Sequence, residues 1–324
     1  MQVFKLRPAF KDYIWGGNRL ATDFGKKSNL KRVAESWELS CHDDGLSVIE
    51  GGEHDGLSLK DYVARSGKQV LGKNCDKFDD FPILIKLIDA KDNLSVQVHP
   101  DDEYAREVEG GFGKTEMWYV VDCDKDAQLI YGFTQDISKE EFAHAIKENT
   151  LLELTNSVKV KPGDVLFIEA GTLHAIGAGI LIAEIQQSSN LTYRVYDYGR
   201  MGDDGKPRQL HIDKAVDVAT LSPAKRPVGA QGETSICEGN ASTVLASCEF
   251  FTVTKLEIKT EKALKLSSNS FNSLLCIAGN AQVVHEGGTV KVAKGESLFI
   301  PALLQEHSEE YKIIGECEIL LTSV

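Results

Sequence analysis

The chain reads as a mainly β protein built from two jelly-roll barrels with a small helical insertion. Short apolar runs broken by Gly, Pro and Asp recur along its 324 residues, the pattern of many short strands joined by tight turns. The segment Gly163-Asp164-Val165-Leu166-Phe167-Ile168-Glu169-Ala170 returns as Gly295-Glu296-Ser297-Leu298-Phe299-Ile300-Pro301-Ala302, so one strand design is used twice. Finally, residues able to ligate a metal come in a telling order. Gln97 and His99 lie on one strand, Glu116 at the start of a second, and His174 beyond a Pro-Gly-Asp turn. A small jelly-roll barrel presents ligands to its own interior in that order.

Composition bounds the rest. With 42% apolar and 26% charged residues, the chain is a soluble globular type able to bury one large core or two ordinary ones. A net charge of −13 argues against nucleic acid or an anionic membrane as partner. It leaves room for an anionic substrate, since a phosphate needs only a local cluster of two or three cations. The cysteines (Cys41, Cys75, Cys123, Cys237, Cys248, Cys276, Cys317) are odd in number, scattered and never paired as CxxC, which reads as reduced thiols in a cytoplasmic protein. The start, Met1-Gln2-Val3-Phe4-Lys5-Leu6-Arg7-Pro8, has no apolar core of an export signal, and no apolar run reaches membrane-spanning length.

Residues 3–50 carry short strands, with Trp15-Gly16-Gly17 as a turn whose glycines allow close backbone approach to a ligand and Trp37 as a core residue. Ser58 and Asp61 cap a helix over 57–67 that Gly67 ends. In Phe81-Pro82-Ile83-Leu84-Ile85-Lys86-Leu87-Ile88-Asp89-Ala90 one lysine interrupts an apolar strand. Burying that ammonium alone is costly, so an anion belongs beside Lys86, either an internal carboxylate or a substrate group. On the next strand Val96 and Val98 share one face, and Gln97 and His99 the other. Pro100 to Val108 reads as a short helix. Gly113-Lys114-Thr115 leads into the strand that opens with Glu116, a position where a glutamate is ordinarily just solvated. Ser138 to Asn156 is a helical insertion with Ser138 and Glu141 as capping box, expected to close one end of the barrel, and His144 in it is a solvated or packing residue. Ile180 to Ile185 is a buried strand. Arg194, between Tyr193 and Val195, faces away from both; by itself it reads as a surface or salt-bridged arginine.

Taken singly, His99 is an ordinary strand histidine. Together with the later segments, Gln97, His99, Glu116 and His174 make a four-ligand metal site. Leu94-Ser95-Val96-Gln97-Val98-His99-Pro100, Gly113-Lys114-Thr115-Glu116-Met117-Trp118 and Gly171-Thr172-Leu173-His174-Ala175 resemble the metal-binding motifs of type I phosphomannose isomerases of the cupin superfamily. Gln186-Gln187-Ser188-Ser189-Asn190-Leu191-Thr192-Tyr193-Arg194-Val195-Tyr196-Asp197-Tyr198 is similar to the family's arginine motif in its short bacterial form. Trp15-Gly16-Gly17 and Glu35-Ser36-Trp37-Glu38-Leu39-Ser40 extend the likeness over most of residues 1–220.

The repeat and the resemblance together lead to the expectation of a metal-binding cupin catalytic domain over 1–228, with the helical insertion at about 136–156, and a cupin-like domain over 229–324 that the repeat leaves metal-free. The Pro- and Gly-containing segment Pro223 to Gly232 separates them. In the repeat, His174 maps onto Glu306, with His307 one place on, and no Gln-x-His strand precedes them. The implied activity is interconversion of mannose 6-phosphate and fructose 6-phosphate through an enediolate, with Arg194 as catalytic arginine. Relatives often carry an acid where Asn190 stands, so a proton-transfer role is not carried to that position.

One zinc ion per chain is expected, and a Glu with three neutral ligands leaves it a net positive charge to stabilise the enediolate. Lys114 and Arg194 could hold the enediolate and phosphate. Lys86, Lys114 and Arg194 are unranked as phosphate contacts, and the general base is open among metal-bound water, Glu and Lys. The partner is a phosphorylated hexose, with no nucleic acid or membrane, and a monomer is preferred although the oligomeric state is open. Two other classes compete. An iron-dependent cupin oxygenase is disfavoured by Gln97, which fills a position oxygen would need. A non-catalytic sugar-binding cupin is disfavoured by the complete motif set without a DNA-binding helix pair.

Overall fold

The long apolar runs become strands buried on both faces. In the computed structural model, which describes residues 3–202, 204–302 and 310–324, every residue of Ile83–Ala90 and Ile180–Gln187 is buried. The strands of the N-terminal part are β1 (Phe4–Arg7), β2 (Ala9–Lys11), β3 (Glu35–Leu39), β4 (Val48–Glu50), β5 (Ile83–Ala90), β6 (Val96–Val98), β7 (Glu116–Cys123) and β8 (Gln128–Phe133). There follow β9 (Thr155–Lys159), β10 (Val165–Ile168), β11 (His174–Ala175), β12 (Ile180–Gln187) and β13 (Tyr193–Tyr196). The remainder contributes β14 (Ser235–Cys237), β15 (Asn240–Ser247), β16 (Thr252–Ile258), β17 (Glu261–Lys265), β18 (Asn272–His285), β19 (Gly288–Ala293), β20 (Ser297–Ile300), β21 (Glu310–Ile314) and β22 (Cys317–Ser323). The helices are α1 (Arg19–Thr22), α2 (Leu59–Ser66), α3 (Asp102–Glu109), α4 (Lys139–Lys147) and α5 (Ile212–Val218).

Among the described residues these strands make three antiparallel sheets. A six-stranded sheet runs β10-β7-β12-β5-β3-β2, and a five-stranded sheet runs β13-β6-β11-β8-β9. The third, of eleven strands, holds β14 to β22 together with β1 and β4 from the N-terminal part. Alternation along each strand explains why the six-stranded sheet is apolar on both faces. Ile83, Ile85 and Leu87 of β5, Met117 and Tyr119 of β7, and Leu181, Ala183 and Ile185 of β12 pack against Leu245, Leu275 and Phe299 of the third sheet and against Phe251 and Phe271, which immediately precede β16 and β18. The opposite parity, Ile88, Trp118, Val120, Ile180 and Ile182, fills the first barrel with Leu129, Leu166 and Ile176. Lys86, Glu116 and Glu184 share that inward parity.

The repeat is structural. Gly163 and Gly295 both adopt positive φ (94° and 88°) immediately before the strands β10 and β20. The capped helix lies at Leu59–Ser66, with Ser58 accepting from Asp61 N and Gly67 at its end.

Four expectations are corrected. The helix read from Pro100 starts at Asp102, because Asp101 takes the N-cap and accepts from Tyr104 N at 2.9 Å. The helical insertion ends earlier than Asn156, since Thr155 and Asn156 already belong to β9. Nor does the insertion close an end of the barrel: Phe142, Ile146 and Leu151 pack with Val96, Val98, Tyr193 and Val195. These apolar residues point opposite to Gln97 and Arg194, so the insertion covers the outside of the ligand-bearing sheet. Lastly, the glycines after Trp15 admit protein rather than ligand. A Cβ on Gly16 would meet Ala34 Cβ at 2.2 Å, and one on Gly17 would meet Asp89 at 2.3 Å. Glu306 and His307 lie outside the described residues.

Candidate active site

The five-stranded sheet brings two ligand-type residues side by side, because His174 of β11 is the register partner of Gln97 on β6. The facing six-stranded sheet supplies Glu116. Gln97 Nε2 lies 3.4 Å from His174 Nε2, His174 Nε2 3.4 Å from Glu116 Oε1, and His99 Nε2 3.8 Å from Glu116 Oε2. One ligand atom from each of His99, Glu116 and His174 falls within 4.8 Å of the others. His99, Glu116 and His174 are buried.

Local structure fixes these groups. Gly171, at φ 85°, makes the turn before His174; its N–H donates to His99 O at 2.8 Å, and a Cβ there would meet Thr220 Oγ1 at 2.6 Å. The segment before Glu116 is pinned by Lys114 N to Pro100 O (3.0 Å) and Thr115 N to Gln187 Oε1 (2.8 Å). His174 Nδ1 lies 2.8 Å from Thr172 O, so it carries the proton and leaves Nε2 with a free lone pair.

Burial drives the electrostatics. It holds the His174 imidazole down at about 4, and, with Lys114 and His174 nearby, holds His99 well below the ordinary range. Both rings are therefore neutral, the form that ligates metal. Burial also pushes the Glu116 carboxyl up to about 7 against the pull of Lys114. Glu116 Oε1 and His99 Nε2 lack a hydrogen bond, whereas Glu116 Oε2 is met by Lys114 Nζ at 2.8 Å and the Leu191 backbone lies beside the His99 ring. Orphaned lone pairs in a buried site are costly. A divalent cation among Gln97, His99, Glu116 and His174 would satisfy them, and the donor set of imidazole, carboxylate and amide suits zinc.

The anion demanded by Lys86 is Glu184, its register partner on β12, with Lys86 Nζ 3.1 Å from Glu184 Oε1. Lys114 Nζ stands 3.8 Å from the same oxygen, and Trp118 Nε1 donates to Glu184 Oε2 at 2.9 Å. Burial works against ionising Glu184, but Lys114 and Lys86 outweigh it and hold the carboxyl low, at about 2. Burial likewise works against the Lys86 ammonium, and Glu184 and Glu35 more than offset it, so its pKa is raised. The edge of Trp118 meets the His174 ring at 5.3 Å, which joins the ion-pair cluster to the ligand cluster.

Arg194 pairs in register with Gln97. It donates from Nε to Ser95 Oγ (3.2 Å) and from Nη1 to Gln209 O (2.9 Å), and among the described residues it has no carboxylate at ion-pair distance. Burial, then Arg208 and Arg200, hold its guanidinium below the ordinary range, with Asp197 opposing. Asp197 is itself shared, accepting from Arg208 Nε at 2.7 Å and from Arg200. Two guanidinium groups thus hold one carboxylate, and Arg194 stands near enough to feel all three charges. Tyr13 lies near this cluster too: burial, Glu35 and Asp44 push its phenol up, and Lys114 and Arg208 pull it down.

Sequence reasoning missed Glu184, Arg200 and Arg208. Glu184 carried a usable signal, being the single charge in the buried run Ile180 to Ile185, as Lys86 is in its own strand. The two arginines sit in loops and carried none.

Two antiparallel barrels of this design, one enclosing a His, Glu, His cluster, place the chain among the metal-binding cupins. The model of the phosphomannose isomerase type I catalytic domain matches residues 3–149, and that of the mannose-6-phosphate isomerase cupin domain matches residues 240–324. The chain is 38% identical to mannose-6-phosphate isomerase of Streptococcus mutans, over 95% of this chain and 93% of that one. It is 37% identical to mannose-6-phosphate isomerase of Bacillus subtilis, over 98% and 97% of the two chains. The crystal structure of mannose 6-phosphate isomerase from Bacillus subtilis superposes with a TM-score of 0.91 at 35% identity, covering 100% of both chains. The chain belongs to the type I phosphomannose isomerase family.

Proposed function

We propose that the chain interconverts mannose 6-phosphate and fructose 6-phosphate in the cytoplasm, with one zinc ion held by Gln97, His99, Glu116 and His174. The observation that carries this is the buried cluster of unsatisfied imidazole and carboxylate atoms, set between two ammonium groups and a triple-arginine cluster. When bound, the cation supplies positive charge that polarises a sugar oxygen and stabilises the enediolate.

The chain's own residues do the remainder. Glu184 keeps Lys86 and Lys114 oriented, and with its raised pKa Lys86 acts as a hydrogen-bond donor to a sugar oxygen rather than as a base. Lys114, next to Glu116, is placed to donate to the same end of the substrate. Arg194 holds the phosphate, beside the Arg200 and Arg208 guanidinium groups that Asp197 pairs. Arg194 is the best placed of the three candidate phosphate contacts, because Lys86 and Lys114 already face carboxylates. The seven unpaired cysteines fit a reducing compartment, and no described helix is long and apolar enough to cross a membrane. A coupled assay with mannose 6-phosphate, run with and without chelator and followed by zinc repletion, tests the reading. Turnover that ignores chelation and metal content overturns the metal-dependent mechanism, and absence of turnover in the zinc-loaded protein overturns the activity.

A further inference from the structure

The loop between β3 and β4 and the loop between β12 and β13 meet through one side-chain hydrogen bond, from Asn190 Nδ2 to Asp44 Oδ2 at 2.9 Å. We propose that this bond ties together two walls of the sugar-binding site, which makes Asp44 and Asn190 positioning residues; the inference rests on the isomerase reading above.

Each partner is attached to a different part of the site. On one side, Ser189 is anchored by Oγ to Phe112 O (2.8 Å) and by Gln186 Nε2 to Ser189 O (2.6 Å), and Gln186 is the register partner of Glu116. The residue after Asn190, Leu191, has its backbone beside the His99 imidazole. On the other side, Lys11 donates to Asp44 O and stands 4.5 Å from the Trp37 ring centroid, while Lys86 stands 5.2 Å from the same ring. Gln186, Glu116 and Lys86 share the six-stranded sheet, so it is through Leu191 and His99, at the end of β6 in the five-stranded sheet, that the bridge joins the second wall to the Trp37 and Lys86 side of the first.

It also marks a boundary. A cavity of about 720 Å³ opens beside it, lined by Asp44, Asn190, Leu191 and Phe112, with four aspartates against two lysines around its surface. An anionic phosphosugar is repelled there and held on the arginine side, and Asp44 lies near Tyr13, which in turn is near Lys114 and Arg208. The Asp44 side chain is 55% exposed, so the bridge competes with water and works as a latch of modest strength.

The experiment is an exchange of partners. Asn190→Asp sets two carboxylates against each other, whereas Asn190→Asp combined with Asp44→Asn restores a donor and an acceptor with reversed polarity. Asn190→Asp should raise KM for mannose 6-phosphate about five- to tenfold and leave kcat within about twofold, because the bridge touches no reacting atom. The exchanged pair should return KM to within about twofold of the parent. Hydrogen exchange of residues 40–47 and 188–192, measured without substrate, should rise in the single variant and fall back in the pair. An exchanged pair as impaired as the product of the two singles, in KM and in hydrogen exchange, overturns the latch. A parent enzyme inactive on mannose 6-phosphate would instead sink the isomerase reading, and the substrate-free measurement would still decide the bridge.

Discussion

Inside the C-terminal barrel Leu256, Leu274, Val283, Leu298, Ile313 and Ile319 form an apolar cluster. At equivalent depth the N-terminal barrel holds Lys86, Glu116, Glu184, His99 and His174, all buried. Both interiors descend from the same turn-and-strand design, so the scaffold itself does not decide the chemistry. An apolar interior packs without further conditions, whereas an ionisable one requires every charge to meet a counter-charge. Lys86 meets that condition through Glu184 and Lys114 through Glu116, but Glu116 Oε1 and the His99 ring keep unsatisfied atoms, and a cation would complete that remainder. The apolar interface between the six-stranded and eleven-stranded sheets supplies the packing that lets the first barrel carry such an interior.

The comparison breaks most severely at the ligands. His99→Ala and His174→Ala should each release the metal and lower turnover on the order of a thousandfold or more, while the circular dichroism of the β-fold is retained. Stoichiometric metal in both purified variants would refute the site. Arg194→Ala should keep the metal and lose turnover on the order of a hundredfold, and unchanged kinetics would remove that residue from the mechanism.

A smaller effect follows from Glu116. With its carboxyl raised to about 7 in the metal-free protein, protons and metal compete for the same oxygens. Affinity should rise as pH rises through 7 and fall below it, by up to about tenfold per pH unit. Titration calorimetry across this range checks the sign, and an affinity that strengthens on acidification contradicts it. The smallest effect on chemistry belongs to the apolar barrel. Leu274→Ala should destabilise the protein by about 2–5 kcal/mol yet leave kcat/KM per folded molecule within about twofold. A large loss of kcat/KM in the fully folded variant would show that the second barrel takes part in the reaction.

Much of the site was legible locally. Alternation placed Gln97 and His99 on one face opposite Val96 and Val98, and a lone lysine in an apolar strand implied a buried anion. Glu184 stood out as the single charge of its own buried run, but its pairing with Lys86 was not legible, because the two are far apart in the chain and become neighbours only by strand register. Arg200 and Arg208 were also invisible, since their loops carry no periodicity and their convergence on Asp197 is a tertiary event. The insertion was read correctly as helical but set at the wrong place, because an amphipathic helix announces that it has an apolar face and not which surface will cover it.

By itself, then, the sequence determined the β architecture, the reuse of one strand design and the residue types that can ligate metal, since period-two alternation and turn chemistry are properties of neighbouring residues. Only the tertiary structure decided which carboxylate steadies the lysines, which arginines gather about Asp197 and which loops Asn190 and Asp44 join. Those outcomes depend on register between distant strands and on the packing of two sheets, which no local pattern encodes.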